Sequence, residues 1–381
     1  MTSRYIPQLS FSFYRHRAIR ADFSGGQITS DAGLLPLRAF DQRHGLTGGL
    51  AQLVCDPREE ERVRHSVLSL FRQRLYQIIA GYEDANDADR LRYDPAFQIL
   101  ADQPLGEPLG SQPTLSRWEN SPSPRELLKL QDALVDWFVK ICGKQVRKRG
   151  EILLDVDSTD DPTYGQQQLS FFNGGYDQHM YHPLLIFERH SGCLLAARLR
   201  PGRVVSHARI IPLLLRIVPR LQREFPNVRI KLRADAGFAT PLLYEFCEFF
   251  GIQYAIGIGN NSRLQSKAEQ LQHRLAKRYR RTGEPQRSFF SFLYRAHPWS
   301  HQRRICYKAE QAETGTNLRF LVTNLSGRSA SVFSFYNDRR EHCRVSPAFH
   351  SSTVLRFYGT ITATSLEYEL STFAVFIAVT T

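Results

Sequence analysis

One segment near the middle of the chain restricts the fold more than any other. Residues 151–156 form a compact apolar run, and Asp155, Asp157, Asp160 and Asp161 lie within it or directly after it. An apolar run of this length is typical of a strand that is buried on both faces. The carboxylates follow its C-terminal end, and this edge of an α/β sheet is where ligands bind. The segment therefore predicts a mixed α/β fold with a candidate site at that edge.

A second strand ends in the same way, because residues 228–233 predict a buried strand that runs into Asp235. If the two strands are neighbours, about 4.8 Å apart, Asp157 and Asp235 can share one hard divalent cation. Carboxylates with open coordination positions suit Mg²⁺ or Mn²⁺, and two such ions can promote phosphodiester chemistry. Aspartates after strands also form caps and Asx-turns, and spacing alone leaves this alternative open. Strand alternation puts Asp155 on the same face as Asp157.

The remaining elements are predicted from periodicity and from turn residues. After residue 150 we expect a hairpin of strands 183–187 and 193–199, helices 208–221 and 241–250, and strands 253–258 and 318–323. Before it we expect helices at 58–80 and 126–141, the first with a basic face of Arg62, Arg64, Arg72 and Arg74. The basic stretch 144–150 is interpreted as a linker. Residues 111–118 are compatible either with a DNA-reading helix or with a core helix.

The charge of the chain is concentrated in one block. Fifty Lys and Arg residues against 37 Asp and Glu residues give +13. Residues 263–308 hold twelve of the basic residues but only two Glu, and aromatic residues interleave with the charges. Contact with the DNA backbone, together with base stacking, explains this composition better than a solvated face does. The predicted DNA-binding residues are Arg274, Lys277, Arg278, Arg280, Arg281, Arg303 and Arg304.

Several classes of protein are disfavoured by the sequence. No apolar run approaches the roughly 18 residues that a membrane span needs, so no membrane association is expected. The six cysteines are scattered without a CxxC pair, which argues against a zinc finger or a disulfide scaffold and favours a reducing cytoplasm. His179 and His182 have the spacing of a helical metal pair but no third ligand nearby, so packing or phosphate contact is the favoured interpretation.

Three groups of motifs resemble a known family. Residues 154–165 with 171–176, residues 199–202 with 232–238, and residues 319–325 are similar to the successive blocks of bacterial insertion-sequence transposases of the group called transposase DDE domain group 1. The resemblance covers roughly residues 25–342. It implies an RNase H-like core, a helical N-terminal region and a β-rich insertion. It also implies Mg²⁺-dependent (or Mn²⁺-dependent) cleavage and strand transfer on double-stranded DNA at terminal inverted repeats, by a homodimer on paired ends.

Residue by residue, the resemblance implies that Asp157 and Asp235 are the first two catalytic and metal-binding carboxylates. The third is missing, because Tyr336–Arg339 matches the family's helix but Arg340 stands in place of Gly and Cys343 in place of Glu. We hypothesise that the reading frame has shifted between residues 339 and 344, which predicts an inactive or crippled enzyme. A non-catalytic protein that occupies element ends, and an RNase H-like nuclease without strand transfer, stay open as alternatives.

The expected division of the chain follows from these observations. Five segments are predicted: a helical N-terminal DNA-binding region (1–143), the first part of an RNase H-like core (151–260), a basic β-rich insertion (261–317), the last part of the core (318–342), and a tail without family resemblance (343–381).

Overall fold

The structure is a computed structural model that describes residues 9–14, 17–21, 28–82, 84–165 and 167–342. Cys343 and the predicted tail 343–381 lie outside the described residues. The described chain folds as two compact units. Within the described residues, the first draws on the chain up to Ala51 and on Asp56–Trp118, and the second on Gln52–Cys55 and on residues 119–342.

The first unit is mainly helical, with a hairpin that the sequence did not predict. Strands β1 and β2 are antiparallel, and two short 3-10 helices accompany the α-helices. The elements are β1 (Leu9–Tyr14), β2 (Arg17–Ala21), α1 (Leu35–His44), α2 (Leu46–Ala51), α3 (Val67–Ile79), α4 (Asp87–Arg90), α5 (Pro95–Leu100) and α6 (Gln112–Glu119). Leu115 and Trp118 of α6 are buried, so that face of the helix belongs to the core.

Helix α3 differs from its prediction in both its start and its charged face. The expected helix over 58–80 begins only at Val67, because the side chain of Ser66 accepts a hydrogen bond from the Ser69 amide and caps it. Arg72 is buried, and its guanidinium bonds Thr47 and Asp102. The predicted basic face is therefore wrong at Arg72 and also at Arg74, which has no exposed surface.

The second unit is built on an eight-stranded mixed sheet and a smaller three-stranded sheet. Its strands are β3 (Glu151–Ser158), β4 (Asp161–Pro162), β5 (Phe171–Asn173), β6 (Gln178–Tyr181), β7 (Leu184–Glu188), β8 (Leu194–Arg198), β9 (Arg229–Ala234), β10 (Gln253–Ile258), β11 (Gln286–Tyr294), β12 (Arg303–Ala312) and β13 (Gly315–Thr323). Its helices are α7 (Pro124–Arg149), α8 (Ile210–Glu224), α9 (Pro241–Phe249), α10 (Ser262–Thr282) and α11 (Ser329–His342).

The large sheet has the strand order β11-β12-β13-β10-β9-β3-β7-β8. Within it, β3, β7 and β8 form an antiparallel meander, while β9 and β10 lie parallel to β3 on its other side. This arrangement is the five-stranded RNase H-like core, and it confirms the predicted mixed α/β fold. Helix α8 buries Leu213, Leu214 and Leu221 in the core of this sheet, and each such side chain contributes about 2 kcal/mol of burial free energy.

The basic stretch 144–150 is not the predicted linker. It continues α7, whose 26 residues begin at a Ser123–Glu126 capping box and end at Gly150. Gly150 adopts φ +71°, the left-handed conformation that ends a helix at little cost in glycine. Val146 keeps the apolar stripe of α7 in contact with the core, so the helix continues beneath its exposed charges.

Residues 261–317 contain more helix than was expected. The 21-residue helix α10 comes first, with Leu264, Ala268, Leu271 and Leu275 buried along one side. Strands β11 and β12 then pair with each other, and β12 pairs with β13, so this segment extends the main sheet. The buried apolar residues of α10 recur at helical spacing, but they stand among many Lys and Arg residues that obscure the pattern in the sequence. No helix in the described part of the chain is long and apolar enough to cross a membrane.

Candidate active site

Asp157 and Asp235 come together at one edge of the sheet. Strands β3 and β9 are parallel with Val156 opposite Ala234, so the next residue of each strand is one of these two aspartates. Both side chains are partly exposed, and burial raises the pKa of Asp157, with the nearby charge of Asp235 raising it further. The structure thus brings together the two carboxylates that the sequence singled out.

Asp155 has a different role from Asp157. It is 8% exposed and forms a two-pronged ion pair with Arg233, in which Nε and Nη2 each donate to one carboxylate oxygen at 2.7 Å. The remaining Nη1 of Arg233 donates to the carbonyl oxygen of Phe335 at 2.6 Å. Asp155 therefore stabilises the packing of β3, β9 and α11, and its oxygens are engaged there.

One oxygen of each candidate carboxylate is held by the backbone. Oδ1 of Asp157 accepts a hydrogen bond from the Ser158 amide at 3.0 Å, and Oδ1 of Asp235 accepts one from the Gly237 amide at 2.8 Å. No described residue donates a hydrogen bond to Oδ2 of either side chain. In each carboxylate, hydrogen bonds to Oδ1 fix the orientation, and Oδ2 is available to bind a cation.

Helix α11 adds a cation to this pair. Arg339 donates from Nη2 to Oδ1 of Asp157 at 3.1 Å. Burial raises the pKa of Asp157 above its ordinary value, Arg339 opposes that shift, and the negative charge of Asp235 reinforces it. The hydroxyl of Tyr336 also lies near the end of β9. Both it and the backbone of Asp235 border Gly257, since a Cβ added to that glycine would be 3.0 Å from the Tyr336 hydroxyl oxygen and 3.2 Å from the carbonyl carbon of Asp235.

Tyr176 and His182 border the carboxylates, and sequence reasoning did not assign either a place in the site. Their rings meet edge to face at 5.7 Å, and burial together with the charges of Asp160, Asp157 and Asp235 raises the pKa of Tyr176. His182 is 3% exposed, with Nδ1 2.7 Å from the carbonyl oxygen of Val204. Because that oxygen can only accept, Nδ1 carries the proton. Burial lowers the pKa of His182, which favours the neutral form of the ring.

The donor set fits a hard divalent cation. Mg²⁺ commonly takes one or two carboxylates and completes its shell with water and substrate phosphate. Asp157 and Asp235 supply two such ligands, each with an oxygen available. Among the described residues no group of three or more His, Cys, Asp or Glu converges on a metal position. The position expected for a third carboxylate, Cys343, lies outside the described residues. His179, at the exposed end of β6, packs edge to face on Phe172 at 5.7 Å.

The predicted DNA-binding residues fall into two groups. Five of them lie exposed on α10: Arg274, Lys277, Arg278, Arg280 and Arg281. Arg303 is instead 3% exposed, and its Nε and Nη2 donate to Glu248 at 2.7 Å each. Arg304 donates to the carbonyl oxygens of Leu325 and Gly327, which holds the turn before α11. The assignment of Arg303 to DNA contact is therefore corrected, since a guanidinium committed to a buried ion pair cannot also reach a phosphate.

All but one of the exposed Lys and Arg residues of α10 share one flank. At about 100° per residue, six of them fall within a sector of roughly 100° beside the buried stripe. We call this set the α10 basic stripe; its members are Arg263, Lys267, Arg274, Lys277, Arg278 and Arg281. Arg280 lies on a different side of the helix by the same arithmetic. Exposed cations gathered on one flank of a helix are suited to contact with the phosphates of a nucleic-acid backbone.

Comparison with known proteins identifies one family. The family model described as transposase DDE domain group 1 matches residues 11–343. A comparison with curated protein sequences finds no significant match.

Similar solved structures include two transposase complexes and one nuclease complex. The piggyBac transposase synaptic complex with hairpin DNA aligns at 10% identity and TM-score 0.41, over 81% of this chain and 68% of that one. The Mos1 transposase paired-end complex aligns at 12% identity and TM-score 0.20, over 61% and 69%. Ciona intestinalis endonuclease V bound to DNA aligns at 10% identity and TM-score 0.22, over 58% and 98%.

Proposed function

The chain belongs to the transposase DDE domain group 1 family, and we propose that it cleaves double-stranded DNA and transfers strands at the terminal inverted repeats of an insertion sequence. Transposase or nuclease chemistry is the activity of this family. The observation that carries the proposal is the meeting of Asp157 and Asp235 at the ends of two adjacent parallel strands. The two negative charges repel each other, so a cation between them is favoured.

Asp157 and Asp235 would hold Mg²⁺ or Mn²⁺. The bound ion would activate a water or a 3′-hydroxyl and would stabilise the leaving oxygen. The protein's own contribution is orientation. The amides of Ser158 and Gly237 fix one oxygen of each carboxylate before any substrate arrives. Such preorganisation lowers the cost of assembling the site around a phosphodiester.

Contact with the DNA backbone falls to the α10 basic stripe. Its residues are solvent-exposed and belong to the same unit as the carboxylate pair. Neutralising several phosphates releases condensed counterions, so binding would weaken steeply as salt rises. A homodimer on paired ends would present two such stripes to two element ends.

A second candidate function is supported by Arg339. Its guanidinium already neutralises part of the charge of Asp157, and no third carboxylate converges on the pair among the described residues. With Cys343 where the family has Glu, the chain would bind element ends without cutting them. It would then act as an inhibitor of an intact transposase.

One experiment tests both candidates. Linear DNA that carries the inverted repeats flanking the gene is incubated with the full chain, with Mg²⁺, Mn²⁺ or chelator, and nicking, strand transfer and binding are measured in parallel. Cation-dependent nicking that is lost in Asp157→Asn and in Asp235→Asn, but retained in Asp136→Asn on the exposed side of α7, supports the enzyme. Strand-transfer products separate a transposase from a simple nuclease.

Two further results decide the remaining cases. Specific binding without nicking under any cation supports the inhibitor. Nicking that persists in both active-site variants would overturn the assignment of Asp157 and Asp235.

A further inference from the structure

Two cysteines that are far apart in the sequence meet in the second unit. Cys142 lies on α7 and Cys193 directly precedes β8, and their sulfur atoms are 3.8 Å apart, within hydrogen-bond distance. Both side chains are half-buried. Among the other described cysteines, Cys55 is exposed while Cys247 and Cys306 are buried, and none of these contacts a second cysteine. The pair is therefore a distinct local feature.

The surroundings of the pair make one sulfur the better nucleophile. The hydrogen bond from the Cys142 thiol lowers the pKa of Cys193 to about 7, although burial opposes this, and the Ser191 hydroxyl lowers it further. The same contact raises the pKa of Cys142. The thiolate, rather than the thiol, reacts with oxidants, and its fraction at neutral pH is governed by the pKa. Cys193 would thus react first and Cys142 would resolve the product.

We propose that Cys142 and Cys193 form an oxidisable dithiol site that closes to an intramolecular disulfide when the protein meets a peroxide. The Cys193 thiolate attacks the O–O bond of hydrogen peroxide, which gives a sulfenic acid and hydroxide. The Cys142 sulfur then displaces the sulfenic hydroxyl, so that the S–S bond forms and water leaves. In total, two thiols and one hydrogen peroxide give one disulfide and two waters.

The geometry requires little movement to reach the product. A disulfide bond is about 2.05 Å long, so the sulfur atoms must approach by about 1.7 Å, a distance within the range of side-chain rotation. The surroundings of both cysteines are packed, since α7 lies against β8 and Cys142 and Cys193 border the main core. The bond would join α7 covalently to the β7–β8 hairpin, whose strand β7 pairs with β3 along Asp157.

The full-length protein is treated with hydrogen peroxide at pH 7, its free thiols are blocked, and the digested peptides are mapped by mass spectrometry without reduction. We expect one cross-linked peptide pair that joins Cys142 to Cys193 and is reversed by dithiothreitol. It should come from protein that runs as a single chain on a non-reducing denaturing gel. Thermal unfolding should shift upward by about 5 °C on oxidation, because the cross-link closes a long loop. Neither readout depends on DNA cleavage, so a failed function assay leaves the result unaffected.

The variants sharpen the test. Cys142→Ser should leave Cys193 to accumulate as sulfinic acid or as a mixed disulfide, while the matched control Cys55→Ser should still form the cross-link. Oxidation of wild-type protein that leaves both thiols free, links either of them to Cys55, or joins two chains would overturn the proposal. These outcomes are read from wild-type protein alone, so the test does not depend on whether the variants fold.

Discussion

Arg339 donates a hydrogen bond from Nη2 to Oδ1 of Asp157 at 3.1 Å, so a cation of the protein itself lies against a candidate metal ligand. The side chain of Arg339 is 12% exposed and that of Asp157 is 33% exposed, so the pair is only partly screened by water. The guanidinium stabilises the Asp157–Asp235 pair, whose negative charges repel each other, in the absence of metal. It also competes with any divalent cation for the same carboxylate.

Replacing Arg339 should therefore strengthen metal binding. We expect Arg339→Gln to raise the affinity for Mn²⁺ roughly tenfold, about 1.4 kcal/mol, because a positive charge is removed from within a few ångströms of the metal position. Electron paramagnetic resonance titration of Mn²⁺ at pH 8 measures this affinity directly. Arg328→Gln removes an equal charge at an exposed position and should leave the affinity unchanged. Equal or weaker binding by Arg339→Gln would contradict the competition.

The α10 basic stripe should control the salt dependence of DNA binding. We expect the triple substitution of Arg274, Lys277 and Arg281 by Ala to reduce the slope of log K against log salt by about 3, since each phosphate contact contributes about 0.9. Binding isotherms between low and physiological salt give that slope. The effect should be similar across DNA sequences, because phosphate contacts carry no base information.

Two controls separate the stripe from net charge. Lys144, Lys148 and Arg149 are exposed on α7, and their joint replacement by Ala removes the same three charges outside α10. Within α10, Arg280→Ala should change the slope less than Arg281→Ala, because position 280 lies off the stripe. Equal slopes for both triple variants would show that DNA binding depends on the net positive charge of the protein and not on the α10 basic stripe.

Patterns that depend on neighbouring residues were predictable from the sequence. Strand β10 was expected at 253–258, its observed bounds, and the meeting of Asp157 with Asp235 followed from two acid-ended strands that proved to be parallel neighbours. Ion pairs between distant residues were not predictable. Nothing near Arg303 in the sequence indicates that Glu248, 55 positions away, will bind it, so the sequence predicts a DNA contact where the structure has a buried ion pair.

Gly202 should not tolerate even a methyl group. A Cβ at this position would lie 2.0 Å from the carbonyl oxygen of Met180 and 2.5 Å from that of Phe171, both backbone atoms of the small sheet. Because backbone cannot move aside locally, we expect Gly202→Ala to lower the free energy of unfolding by roughly 3 kcal/mol or more. Denaturant unfolding measures the change. Gly174→Ala, where no atom lies within 4 Å of the new Cβ, serves as control and should cost less than about 1 kcal/mol.

The Glu248–Arg303 ion pair should make stability depend on pH. Burial disfavours the charged form of Glu248, but hydrogen bonds from Arg303 and Tyr254 outweigh it and hold the pKa of Glu248 below its ordinary value. A carboxyl group with a depressed folded-state pKa contributes stability that is present above its unfolded pKa of about 4.3 and is lost as pH falls through the lower folded value. We expect Glu248→Gln to cost about 2 kcal/mol at pH 7, since it leaves the buried Arg303 without its counter-charge.

The difference between wild type and Glu248→Gln should therefore shrink as pH is lowered from 6 toward 3, because the wild-type carboxylate becomes neutral as well. Thermal unfolding of both proteins across this range measures the difference at each pH. Glu245→Gln changes the same residue type at an exposed position of α9, and should lie within about 0.5 kcal/mol of wild type throughout. A gap between wild type and Glu248→Gln that stays constant from pH 7 to pH 3 would show that packing, rather than charge, accounts for the loss.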